Sequence, residues 1–472
     1  MTDIPLPSAA AGGLWSPGRR ALTIGLVTTI TLVAFEALAV STVMPIVAAE
    51  LHGLDLYGWV FSAFFLGNLI GIVVVGGAID RGGLVRPLAA GLALFSVGLV
   101  VGGLAPSMSV LVVGRFLQGL GAGAIAPVAY VAIGRSLPEA LRPRMFATLS
   151  TAWVLPGLIG PAIAGAIAQL LDWRVVFLGL LPIILAAGVL TLPAIAPYSQ
   201  DPETAASAPV DHRRRLGWGL LLALGAGLTV VGLTRQLAVP GLPVEVVGLA
   251  AMLMAFTRLT PAGTLRLAPG LPAAVGLRGV LTFAFFCSDA FVPLALQEWR
   301  GLSAAVAGLA LTAATLSWTG GAWLQARRIN RYGAPPFVRL GFATVIVGIG
   351  IFATVLVPTV PIALGVAGFA LAGLGMGFAY SPLSLTILRE APPATVGAAT
   401  SGLQLSDVLG TALGTGIGGA VIAAGSGSGW SLGSSLGVVF AIGMSAAVLG
   451  LLGVGRLRWS HRRDTSPAPS GA

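Results

Sequence analysis

"LVAFEALAVSTVMP", Leu32 to Pro45, decides how this chain is read. Glu36 lies inside an apolar run that begins at Ala21, directly after Arg19 and Arg20, and continues to Ala49. If the run crosses a bilayer, a carboxylate near its centre costs about 2.5–3.5 kcal/mol on insertion scales. A residue that costly is kept for a use. Two questions follow: whether the run crosses, and what stands beside Glu36 if it does.

Composition answers the first. Of 472 residues, 56% are hydrophobic and only 9% charged, too little charge to cover a soluble chain of this length. The class is an integral membrane protein. The net charge of +10 comes from arginines scattered between apolar runs, without a basic patch interleaved with aromatics, so a nucleic-acid interface is excluded. A single cysteine, Cys287, excludes an internal disulfide. The sequence has no lysine, so a G-x-x-x-x-G-K-[ST] phosphate loop is impossible, which argues against an ATP-driven pump. His52, His212 and His461 show no metal-ligand spacing, and no nucleophilic triad is visible. The chain is therefore not read as an enzyme, and neither a metal nor a cofactor is expected.

Apolar runs of spanning length fall near 21–47, 57–79, 84–103, 107–134, 144–171 and 174–196. The first is too long for the apolar region of a signal peptide. A polar stretch, Pro197 to Arg215, precedes two more runs near 216–234 and 239–257. A Pro-broken connector over 258–276 leads to six further runs near 277–296, 303–325, 336–357, 359–388, 396–424 and 431–455. The plan is an all-α protein of fourteen spans, two six-helix bundles at 21–196 and 277–455 joined through two extra helices at 216–257. A segment 1–20 leads in and a tail 456–472 leads out, both expected to be cytoplasmic. With that orientation nearly every arginine falls inside, Arg278 among them, and only Arg174, Arg235 and Arg300 fall outside, as the positive-inside rule expects. If only one middle run crossed, every later loop would invert and the bias would be lost.

The two sets of six repeat one another. "GLGAG" at Gly119–Gly123 recurs as "GLGMG" at Gly373–Gly377, "DRGG" at Asp80–Gly83 as "NRYG" at Asn330–Gly333, and Glu36 is matched by Asp289. Two such bundles imply a site at their interface and rocking about it, the architecture of a secondary transporter.

Motifs sharpen this. "GGAIDRGGLVRP", Gly76 to Pro87, resembles the loop signature G-x-x-x-D-R-x-G of the major facilitator superfamily, with Gly76, Asp80, Arg81 and Gly83 in place. "LVVGRFLQGLGAG", Leu111 to Gly123, resembles that family's fourth-helix motif through Arg115, Gln118, Gly119 and Gly121. "LPGLIGPAIAG", Leu155 to Gly165, resembles its fifth-helix antiporter motif through Gly160, Pro161 and Gly165, departing at Ala164, where Gly is common. The helix-1 pattern from Glu36 to Pro45 is similar to that of the fourteen-span drug:proton antiporter branch, with Glu replacing the usual Asp. The resemblance implies a proton-driven exporter of hydrophobic or cationic drugs in a bacterial plasma (inner) membrane. Export of lipid or an endogenous metabolite, or proton-coupled solute import on the same fold, stays open, because fold does not choose cargo. The expected partners are protons, a small hydrophobic substrate and membrane lipid; the chain is expected to be a monomer, and the proton gradient its energy source.

Side-chain physics assigns the roles. By these boundaries Arg115 lies roughly 7 Å, and Glu36 roughly 3 Å, to the outer side of its helix midpoint, at about 1.5 Å per residue. Their side chains are within reach, and buried ions persist mainly with partners. A static pair fixing helix register is one reading; a proton site at Glu36 tuned by Arg115 is the favoured one. Asp289 has no evident intramembrane cation and is expected to bind a proton or attract a cationic substrate. Asp407 is a further candidate for proton coupling, or for a hydrogen bond to a neighbouring helix. Asp80 and Arg81, bracketed by Gly76 and Gly83, are expected to form a conformational gate. Asn68, Gln118 and Gln404 are candidate cavity residues or interhelical glue. Trp153 and Trp318 lie deep enough to line a hydrophobic pocket or to pack between helices, whereas Trp59, Trp173, Trp218, Trp299, Trp430 and Trp459 fit an interfacial belt.

Overall fold

A computed structural model describes residues 13–53, 56–199, 212–233 and 241–459. Most of the polar stretch 197–215, Arg235 and the tail from 460, with His461, lie outside the described residues. Among the described residues there is no strand. In lipid a backbone must satisfy its own hydrogen bonds, which these apolar segments do as helices.

The first bundle contains α1 (Arg20–Glu50), α2 (Tyr57–Gly82), α3 (Val85–Gly103) and α4 (Met108–Ser136). Its fifth run is split into α5 (Arg142–Thr151) and α6 (Val154–Leu170), with a break at Ala152 and Trp153, and its sixth into α7 (Trp173–Leu178) and α8 (Leu181–Ile195). Next come α9 (His212–Leu233) and α10 (Gly241–Leu259). The second bundle starts with α11 (Leu271–Asp289), followed by a short α12 (Val292–Leu294) that runs into a π-helical turn, Ala295–Trp299. It is completed by α13 (Ala304–Tyr332), α14 (Ala334–Ala353), α15 (Ile362–Glu390), α16 (Val396–Gly427) and α17 (Leu432–Gly453).

Eleven segments among the described residues are long and apolar enough to cross a membrane. Fourteen were expected; α9, α10 and α13 stand where the seventh, eighth and tenth spans were placed but are not among the eleven.

The repeat is visible in the packing. A Cβ on Gly119 of α4 would overlap the Phe64 carbonyl oxygen of α2, and one on Gly373 of α15 would overlap that of Ala314 of α13. These small residues let helix backbones touch, which is how apolar helices associate where lipid offers no hydrophobic drive. Gly83 and Gly333 end α2 and α13 with φ of 82° and 76°, a conformation that favours glycine.

The helix after the connector begins earlier than expected. Arg278, counted as a cytoplasmic arginine at the edge of the run from 277, lies two turns inside α11 and is fully buried. Pro272 marked the connector as broken, yet it occupies the first turn of α11, where its missing N–H is no loss. Trp173 also departs from expectation: it is 1% exposed, with its indole N–H donated to Glu50 at 2.9 Å.

Candidate functional site

Both described chain ends lie on one face of the molecule, beside the α2–α3 turn and the start of α16. The hydrogen bonds between the bundles gather on this half. Asp80, near the end of α2, accepts the backbone N–H groups of Gly397 at 2.7 Å and Ala398 at 2.9 Å, in the first turn of α16. The first N–H groups of a helix have no partner within it and carry its positive dipole end, so a carboxylate is the natural cap. Gly76 lies one turn earlier, where a Cβ would collide with Ser401 of α16. Gly83, at the turn itself, leaves no room for a Cβ against Ser199, whose hydroxyl accepts the Leu84 N–H at 2.7 Å. On the other seam Arg389 pairs with Glu139 at 2.9 Å, Asn330 donates to the Ala140 carbonyl at 3.2 Å, and Trp323 donates to Thr151 at 2.9 Å. Asp80 thus anchors the opposite bundle through backbone, a partner 317 residues away that no side-chain motif announces. Arg81 is exposed at the same turn. The conformation is sealed at the face that carries the chain ends.

The first buried ion pair lies in the first bundle. Glu36, at the middle of α1, is fully buried, and its Oε1 accepts from Nη1 of Arg115, which is 3% exposed. The same Nη1 donates to Oε1 of Gln118 at 2.6 Å, and the guanidinium lies over the Phe64 ring at 4.4 Å. Glu36 Oε2 has no hydrogen-bond partner among the described residues. Gln118, a candidate cavity residue from sequence, has no exposed surface and belongs to this pair.

A second pair lies in the other bundle, between α11 and α16. Arg278 Nε donates to Asp407 Oδ1 at 3.0 Å, and the Tyr380 hydroxyl donates to Asp407 Oδ2 at 2.8 Å. Arg278 Nη1 also reaches the Tyr380 carbonyl at 2.5 Å, and its guanidinium lies 3.1 Å from the centre of the Tyr380 ring. Tyr130, from α4 of the first bundle, interacts with both Arg278 and Tyr380. Asp407 was a candidate for proton coupling or for a hydrogen bond to a neighbouring helix; its partner Arg278 was hidden by the misplaced start of α11. The pair does not mirror the first one, since it joins the first and fifth helices of its bundle rather than the first and fourth.

The other candidates are distributed. Asp289 is half-buried at the end of α11, with no hydrogen bond or ion pair among the described residues. Trp318 packs edge-on against Phe285 (5.8 Å) and Tyr380 (5.3 Å), which brings it near Asp407. Trp153 is 43% exposed at the α5–α6 break. Gln404 is buried, one turn before Asp407; Asn68 is half-buried on α2. Gly160 and Gly165 face α1 at ordinary van der Waals distance from Phe35 and Thr42, with Pro161 inside α6.

Residues 24–415 match the Major Facilitator Superfamily. The chain belongs to that superfamily. It is accordingly a transporter, not an enzyme, and a multi-pass membrane protein. A probable multidrug-efflux transporter of Mycobacterium tuberculosis (strain ATCC 25618 / H37Rv) is 28% identical over 431 residues, covering 86% of this chain and 88% of that protein. The multidrug efflux pump SdrM of Staphylococcus aureus (strain N315) is 24% identical over 405 residues, 83% of this chain and 87% of that protein. The structure of the human organic anion transporter MFSD10 (TETRAN) superposes with a TM-score of 0.69 at 13% identity, covering 93% of this chain and 99% of that chain. That likeness is one of fold.

Proposed function

We propose that this transporter exports hydrophobic or cationic compounds in exchange for protons, by alternating access, with Glu36 as the proton-exchanging group. One observation carries the reading. Glu36 is wholly buried, one of its oxygens is held by Arg115, and the other has no hydrogen-bond partner among the described residues. A carboxylate in apolar surroundings holds a proton readily, and a nearby guanidinium displaces it. Movement of Arg115 relative to Glu36 therefore converts helix motion into proton uptake or release. Two relatives carry multidrug-efflux names, which supports drug-like cargo.

In this reading α9, α10 and α13 cross the bilayer together with the eleven, giving fourteen spans where twelve are usual, and both chain ends lie in the cytoplasm of a bacterial cell. The sealed face is then the cytoplasmic one, and the conformation faces outward. Protonation of Glu36 from outside and release of cargo there alternate with proton release and cargo entry inside. Asp289 serves as a second acid, open to the central cavity, and Trp153, Trp318, Asn68 and Gln404 contribute to the cavity wall. The chain works as a monomer and needs no cofactor.

The test is efflux from proteoliposomes across a panel of lipophilic cations and neutral drugs under an imposed pH gradient. Uphill efflux that collapses with a protonophore is the expected result. Uphill transport indifferent to the protonophore would exclude proton exchange.

A further inference from the structure

The pair α9 and α10 lies outside both bundles, yet it is not merely appended to one of them. The two helices form an antiparallel hairpin, since Gly225 abuts Met252 and Gly232 abuts Glu245. One apolar cluster joins Leu222 and Phe256 of the hairpin to Ile72 and Val73 of α2 and to Leu405 and Leu409 of α16. Helix α2 belongs to the first bundle and α16 to the second. At the connector, Thr260 and Pro261 lie against Gly402 of α16, while Gly219 of α9 is set closely against Val73 of α2. The hairpin therefore straddles a seam between the bundles, the one whose end Asp80 pins to Gly397 and Ala398.

The same element reaches the pin itself. Arg215, in the first turn of α9, has Asp80 and Arg81 as its charged neighbours, and Arg135 of α4 also acts on Asp80. Nε and Nη2 of Arg215 are buried without a hydrogen-bond partner among the described residues. Buried guanidinium donors left unpaired are costly, so a nearby carboxylate is what keeps this cation in place. Asp80 thus holds the α16 backbone by hydrogen bonds and attracts the hairpin cation through its charge.

We propose that the α9–α10 hairpin is a clamp on opening at this face, and that Arg215 is the positioning residue that ties it to Asp80. When α2 and α16 separate, a hairpin touching both must let go of one. Its closer fit to α2 assigns the release to α16. The apolar contacts with Leu405 and Leu409, together with the Arg215–Asp80 attraction, then weight the equilibrium toward the sealed state. The opposite seam, between α5 and α13, has no such cover from the hairpin, so the clamp acts on one side only.

The experiment places spin labels on exposed Arg86 of α3 and exposed Thr395 before α16, in a full-length Cys287→Ser background, and reads their distance distribution in lipid nanodiscs. No gradient and no cargo are present, so the result does not depend on whether the carrier exchanges protons. Arg215→Gln is expected to raise the long-distance fraction about fivefold or more, and Arg215→Lys to restore most of the sealed population. Leu409→Ala, which thins the hairpin contact on α16 without touching a charge, should shift the distribution in the same direction. Leu224→Ala, on the outward side of the hairpin at 65% exposure, should leave it unchanged. Distributions that are the same in wild type, Arg215→Gln and Leu409→Ala would overturn the clamp, and so would an equal shift in Leu224→Ala.

Discussion

At the scale of residues, two carboxylate–guanidinium pairs lie within the spans among the described residues, and they differ in what they leave free. Asp407 has both oxygens engaged, by Arg278 and by the Tyr380 hydroxyl, whereas Glu36 keeps one oxygen without a hydrogen-bond partner among the described residues. The first arrangement suits a fixed charge, the second an exchangeable proton. Removing one partner of a buried pair costs about 3–5 kcal/mol, more than the pair contributes relative to an apolar replacement. Arg278→Met should therefore lower thermal stability severely, and Arg278→Met with Asp407→Leu should recover most of the loss. Cys287 is the lone thiol and is buried, so its unmasking to a thiol-reactive dye on heating reads the melting point directly. Equal melting of the single variant and the wild type would show that the pair carries no stability. The Glu36–Arg115 contact could be read from sequence because both residues stand in unbroken apolar runs, where counting 1.5 Å per residue gives their depth. Arg278 could not, because three prolines made its surroundings look like loop.

At the scale of elements, closure depends on one helix end. Asp80 caps α16 with a charge, and charged hydrogen bonds contribute about 1.5–3 kcal/mol. Asp80→Asn keeps the shape and loses the charge, so the sealed state should weaken by about tenfold or more. In a Cys287→Ser background, Ser401→Cys lies under the seal and serves as reporter. Adding Asp80→Asn should raise its labelling by an impermeant thiol reagent from the side of the chain ends by that factor. Unchanged labelling would mean that the cap does not set the equilibrium. The loop signature told where a charge sits but not what it binds, since its partner is backbone that any sequence supplies. The glycines were legible as close-packing residues, and Gly76 needs its bare face because Ser401 occupies the space.

At the scale of the whole molecule, two repeated bundles meet, among the described residues, through hydrogen bonds gathered on one half, and the proposed proton site lies in the first bundle away from them. The repeat was legible because glycine spacing is preserved where helices touch, as at Gly119 and Gly373. The place of the hairpin was not, because its apolar helices carry no signal of which neighbours they join. The central claim concerns how opening and proton occupancy are linked through Glu36. It is tested most directly by recording the pH of a weakly buffered solution of purified protein as a transported lipophilic cation is added. Wild type should release protons on binding, and Glu36→Gln, folded and still binding the cation, should release none. Equal proton release from both proteins would contradict the account.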